Sequence, residues 1–116
     1  MTVSIYHNPR CSKSRTTLAL LEEKGFTPEV RLYLEDSPNA EEIKQLLLML
    51  GMNSPRDLMR KGEDAYKTAD LGDASLSTEA LVAAMVANPI LIERPIVINN
   101  NRARIGRPPE QVLEIL

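Results

Sequence analysis

The first 34 residues do most to fix the topology. Val3 to Tyr6 is a short run of β-forming residues that Asn8-Pro9 breaks. A helix is predicted from Ser12, running through Leu18 and Leu21 to Lys24. Gly25 follows at the position that favours positive φ, with Phe26 next to it as a hydrophobic cap contact. Val30 to Leu34 alternates apolar and polar residues and predicts a second strand. Strand, helix and strand in this order most simply form a parallel pair joined by a right-handed crossover.

The middle of the chain reads as helical. Ser37-Pro38 predicts an N-cap followed by proline at the first helical position. Ile43, Leu46, Leu47 and Leu50 then share one helical face, and Gly51 ends it. Ser54-Pro55 starts a short helix reaching Met59 and Arg60. From Ser77 another helix turns Leu81, Ala84 and Met85 inward until Asn88-Pro89 stops it. The end returns to β structure. Ile96-Val97-Ile98 is a buried-looking strand, and Asn99-Asn100-Asn101 suits the positive φ angles of a tight hairpin turn. Arg102 to Ile105 is the returning strand, Gly106 to Pro108 a loop, and Pro109 to Leu116 a closing helix. The order βαβ, helical block, ββα predicts an α/β fold of thioredoxin/glutaredoxin-like layout. It is expected to be a single domain over 1–116, with a helical insertion at about 38–88.

Composition narrows the function. At 116 residues the chain can bury a core without disulfide staples. Its net charge of −2 and acidic pI of about 5.4 argue against a nucleic-acid surface, which would carry a basic excess. No apolar stretch approaches the roughly 20 residues of a membrane span, and no signal-peptide pattern precedes the first strand. One cysteine cannot close an internal disulfide, so a cytoplasmic setting is expected. One cysteine and one histidine also argue against a zinc site, and no metal is expected.

That cysteine, Cys11, lies in His7-Asn8-Pro9-Arg10-Cys11-Ser12-Lys13-Ser14-Arg15, between the first strand and the first helix. The thiolate is the reactive form of cysteine, and the free N–H groups and dipole of a helix N-terminus favour it. Ser14 is placed to donate a hydrogen bond to the sulfur, and His7 or Arg15 to add positive charge. A strand-end histidine bonded to backbone is an equally natural reading of His7. Arg10 and Lys13 read as solvated charge, and Arg15 is left open. The neighbours of Cys11 are mostly polar or charged, a poor match to the small core hydrophobe that an inert cysteine resembles. Ser14 makes the motif C-x-x-S, without the second thiol of a dithiol oxidoreductase, and Arg15 gives C-x₃-R rather than the C-x₅-R of cysteine phosphatases. Once oxidised or adducted, Cys11 therefore needs a thiol from another molecule.

The run His7-Asn8-Pro9-x-Cys11-x-x-Ser14-Arg15 resembles the glutaredoxin-coupled arsenate reductases of the ArsC family. Leu58-Met59-Arg60, Glu93-Arg94-Pro95-Ile96-Val97 and Arg104-Ile105-Gly106-Arg107-Pro108 extend the likeness over nearly the whole chain. The resemblance implies that Cys11 attacks arsenate, or a similar oxyanion, to give a thiol–arsenate adduct. Glutathione then attacks as co-substrate, glutaredoxin resolves the mixed disulfide, and arsenite leaves. It implies Arg60, Arg94 and Arg107 as an oxyanion cradle, His7 and Ser14 as supports of the thiolate, and Pro95 as a structural cis-proline. No tightly bound cofactor is implied. Planar guanidinium forks suit a multi-oxygen anion better than lysine does. Two other functions fit parts of the pattern. One is a monothiol, glutathione-linked oxidoreductase, whose arginines would bind the carboxylates of glutathione. The other is an Spx-type regulator binding RNA polymerase, which would have no need of three guanidiniums around a thiolate.

Overall fold

The computed structural model describes residues 2–116. The chain divides into two compact units, one formed by Met1–Asp36 with Arg94–Leu116 and the other by Ser37–Glu93. The segment expected as a helical insertion, about 38–88, lies within the second unit.

In the first unit, β1 (Ser4–Tyr6), α1 (Ser12–Glu23) and β2 (Glu29–Arg31) make the crossover, and β3 (Ile96–Asn99) and β4 (Arg102–Ile105) make the hairpin. The sheet order is β2-β1-β3-β4, with β1 parallel to β2 and antiparallel to β3. Ile5 is thereby opposite both Val30 and Val97. Val3, Ile5, Leu21, Val97, Val112 and Ile115 form a buried core, with Leu18, Leu20 and Phe26 packed against it. Helix α1 ends in a Schellman motif: Phe26 N–H bonds the Leu21 carbonyl and Gly25 N–H bonds that of Glu22, with Gly25 at φ +91°. The hairpin turns on Asn100 (φ 55°) and Asn101 (φ 61°), the paired positive angles that match the twist of adjoining strands.

Two expectations for this unit need correction. The second strand is Glu29–Arg31 rather than Val30–Leu34. Beyond Arg31 the N–H groups of Glu35 and Asp36 both turn back to the Leu32 carbonyl, so only Tyr33 of that stretch is buried. The closing helix is a 3₁₀ segment, Pro109–Ile115. Its buried residues Pro109, Val112 and Ile115 recur every third position, and a helix of three residues per turn stacks them in a single line along one edge. Asn99 ties the hairpin to this segment, its side-chain amide donating to the Ile115 carbonyl at 2.7 Å.

In the second unit, α2 (Ala40–Leu50) buries Ile43, Leu46 and Leu47. Its N-cap is Asn39, not Ser37, because Asn39 has Glu42 three residues on and the two close a capping box at 2.9 and 3.0 Å. Ser37 instead donates to the Val86 carbonyl. A 3₁₀ turn, Pro55–Leu58, replaces the expected short helix and stops before Arg60. Helix α3 (Asp64–Thr68) buries nothing and so left no apolar period to read. Helix α4 (Thr78–Ala87) is capped by Ser77 and buries Leu81, Val82 and Met85, with Ala84 only half-buried.

Candidate active site

Strand β1 delivers the chain into a tight turn in which Cys11 N–H bonds the Asn8 carbonyl at 3.0 Å. The Asn8 side chain accepts from Arg10 N–H, and the Arg15 guanidinium returns from the helix to the Pro9 carbonyl at 2.9 Å. Cys11 itself is the N-cap of α1, extended at φ −96°, ψ 123°, with its carbonyl accepting the first helical bond from Arg15 N–H. Its half-buried sulfur therefore faces the unsatisfied N–H groups of the first turn.

Two arginines of the first unit converge on that sulfur. Nη2 of Arg107 donates to Cys11 Sγ at 3.5 Å, while Nε of the same guanidinium donates to the Arg94 carbonyl at 2.7 Å. Arg107 is thus held at both ends. Burial pushes the Cys11 thiol up. The Ser14 N–H, the Arg94 side chain by hydrogen bond and by charge, and the Lys13 N–H together outweigh it, so the thiol lies below its ordinary value.

His7 and Ser14 meet in a buried bond, Nδ1 to Oγ at 2.6 Å, and the Ser14 hydroxyl also accepts from Asn8 N–H at 3.0 Å. Two expectations change here. Burial first, and the nearby Arg15 charge second, hold His7 below its ordinary value, so it stands as a neutral imidazole and adds no positive charge near the thiolate. The support of Ser14 for the sulfur comes through its backbone N–H, since its hydroxyl is engaged by His7 and Asn8. Arg15, left open by the sequence, clamps the loop.

The peptide bond before Pro95 is cis, and so is the one before Pro108. Between the segments they mark, Gly106 N–H bonds the Pro95 carbonyl at 3.0 Å. A Cβ on Gly106 would stand 2.5 Å from Thr17 Oγ1 and 2.9 Å from Pro95 Cγ. Sequence reasoning gave Gly106 and Thr17 no role in the site. Their signal is a close approach between α1 and the segment after β4, which only the folded chain displays. Arg60 belongs to the second unit, where its guanidinium is held by Glu63 at 3.1 Å and Glu93 at 3.5 Å. Among the described residues no group of acidic, histidine or cysteine side chains is assembled to hold a metal, and no helix is long and apolar enough to cross a membrane.

This arrangement supplies a half-buried thiol whose ionised form is favoured by the guanidinium and backbone donors around it, which suits attack on the central atom of an oxyanion. Comparison with known proteins bears on which oxyanion. The family model described as ArsC family matches residues 6–115. The Escherichia coli protein YfgD is 65% identical over 114 residues, covering 98% of this chain and 96% of its own length. An arsenate reductase of Haemophilus influenzae is 50% identical over 116 residues, with both chains covered in full. A solved structure, an arsenate reductase from Vibrio cholerae, superposes with a TM-score of 0.98 at 61% identity, over 100% of this chain and 98% of that one.

Proposed function

The chain belongs to the ArsC family, and we propose that it reduces arsenate to arsenite with Cys11 as nucleophile and glutathione as the thiol donor. The observation that carries this reading is the Arg107 guanidinium, bound to the Arg94 carbonyl and pointed at Cys11 Sγ. In that position it stabilises both the thiolate and the oxygens of an anion approaching it.

The thiol displaces one hydroxyl of arsenate, forming a sulfur–arsenic bond and releasing water. A glutathione thiolate attacks Cys11 Sγ and the sulfur–arsenic bond breaks. Its electron pair stays on arsenic, which leaves as arsenite, and Cys11 remains as a mixed disulfide with glutathione. A second thiol, from glutaredoxin, attacks the glutathione sulfur and returns Cys11 as thiolate. Over one cycle two thiols lose two electrons and two protons, and arsenate loses one oxygen as water. His7 and Ser14 act as positioning residues that hold the loop, and Arg94 and Arg107 carry the oxyanion. The resemblance also implies Arg60. That side chain is already engaged by Glu63 and Glu93, so the proposal rests on the other two arginines. A cytoplasmic setting, with its reducing thiol pool, belongs to the same proposal.

The test is mass spectrometry of the protein incubated with glutathione, with and without arsenate and without glutaredoxin. A glutathione adduct on Cys11 formed only with arsenate is the expected result. The same adduct in both samples, or in neither while arsenite accumulates, would overturn the proposed sequence.

A further inference from the structure

Cys11 is the chain's one cysteine, so the electrons that restore it come from a thiol carried by another molecule. Beside its loop lies a groove of about 260 Å³ within the first unit. It is lined by the buried, neutral His7 and by Asn8, Pro9 and Arg10, which lead directly into Cys11, and by Leu32, Leu34 and Glu35, which follow β2. Leu32 and Leu34 keep 38% of their surface in water, an uncovered apolar lining. Arg10 and Glu35 are both exposed, and among the described residues neither enters an ion pair. One unengaged cation, one unengaged anion and apolar side chains make a site complementary to a small zwitterion. Its volume is just below the roughly 300–1,000 Å³ typical of pockets for drug-sized ligands. A protein partner would need a far broader face, about 800 Å² on each side.

We propose that this groove binds the reductant as a small thiol peptide bearing both a free ammonium and a carboxylate. Glu35 takes the ammonium, Arg10 the carboxylate, and Leu32 and Leu34 the methylene groups between them. The inference rests on the reading of Cys11 as a nucleophile that passes through a mixed disulfide. Its test leaves arsenate out, so the two stand or fall separately.

Cys11 is first converted to a mixed disulfide with thionitrobenzoate by Ellman's reagent. A thiol probe then attacks Cys11 Sγ, the old disulfide bond breaks, and coloured thionitrobenzoate leaves at a measurable rate. The readout is the rate constant for glutathione divided by that for 2-mercaptoethanol, a neutral thiol that reports the intrinsic reactivity of the disulfide and cancels it. Arg10→Gln and Glu35→Gln are each expected to lower this ratio about fivefold, the upper range for a solvent-exposed charge pair. Glutathione diethyl ester should erase the Arg10→Gln effect, and N-acetylglutathione the Glu35→Gln effect. Both variants alter exposed side chains, and an unchanged melting temperature checks that they fold. Ratios equal to wild type in both variants would overturn the proposal. So would ratios insensitive to either charge combined with Leu34→Ser slowing reduction by a thioredoxin-class protein dithiol, which would make the groove a protein-docking face. A lowered ratio in a protein that does not reduce arsenate would keep the groove and refute the proposed function.

Discussion

Gly106→Ala is the substitution whose consequence follows most directly from the geometry. The added methyl would sit 2.5 Å from Thr17 Oγ1, 3.2 Å from Thr17 Cγ2 and 2.9 Å from Pro95 Cγ, where ordinary contact begins near 3.4 Å. None of these neighbours is the free end of a flexible chain. Thr17 is buried, β-branched and bonded to the Lys13 carbonyl at 2.8 Å, and Pro95 is a buried ring. The segment after β4 must therefore move by about 0.9 Å, and overpacking of this kind costs about 1–3 kcal/mol. For a chain of this size that lowers the melting temperature by about 4–12 °C. Arg107 is the next residue, so the displacement also disturbs its 3.5 Å contact with Cys11 Sγ, and with that donor weakened alkylation of Cys11 should need a higher pH. Thr17→Ala removes the closest clash but also the bond to Lys13. The double variant is accordingly expected to be more stable than the sum of the two single effects, a coupling read by a double-mutant cycle. Thermal melts and the pH dependence of iodoacetamide alkylation measure both halves. A Gly106→Ala protein with wild-type melting temperature and wild-type alkylation profile would refute the reasoning.

Arg94→Ala removes a guanidinium that helps hold the Cys11 thiol below its ordinary value, so the alkylation profile should move to higher pH. Under the proposed function the KM for arsenate should also rise by about tenfold or more, as expected for one charge-assisted hydrogen bond. An unmoved profile and KM would remove Arg94 from the site. Ser14→Ala strips a buried partner from both His7 Nδ1 and Asn8 N–H, and should cost about 1–3 kcal/mol in denaturant unfolding. Full stability would contradict the role given to this hydroxyl. The His7 value is lowered on folding, so the unfolded chain binds the extra proton. The stability this contributes is complete above the ordinary value of 6.5 and is lost as pH falls through the folded value. His7→Gln should flatten this acid loss relative to wild type, and an identical acid slope in the two proteins would contradict the buried neutral imidazole.

What the sequence revealed of the fold was mostly what short-range chemistry decides. Gly25 and Gly51 ended their helices, Ser54 and Ser77 capped theirs, and the asparagine run made the hairpin, because each signal acts over two to four residues. Misplaced boundaries arose where two local signals competed. Ser37-Pro38 is a good helix start, but Asn39 with Glu42 is a better one, since it satisfies two backbone donors at once. Leu32 and Leu34 read as strand by alternation, yet the chain turns there and leaves them exposed. At the site, Cys11 was legible because its helix-start context is contiguous. Arg94 and Arg107 came only from the family resemblance, for nothing local says that residues 83 and 96 positions away meet one sulfur. The charge state of His7 and the need for glycine at position 106 depend on burial and close packing, which no residue run displays.

The central claim is that Cys11 is the nucleophile of an arsenate reductase. The direct measurement is arsenite formed from arsenate with glutathione and glutaredoxin present, comparing wild type with Cys11→Ser at matched folded concentration. The account predicts steady arsenite production by wild type and none above background by the variant. Equal production by both, or none by the folded wild type, would contradict it.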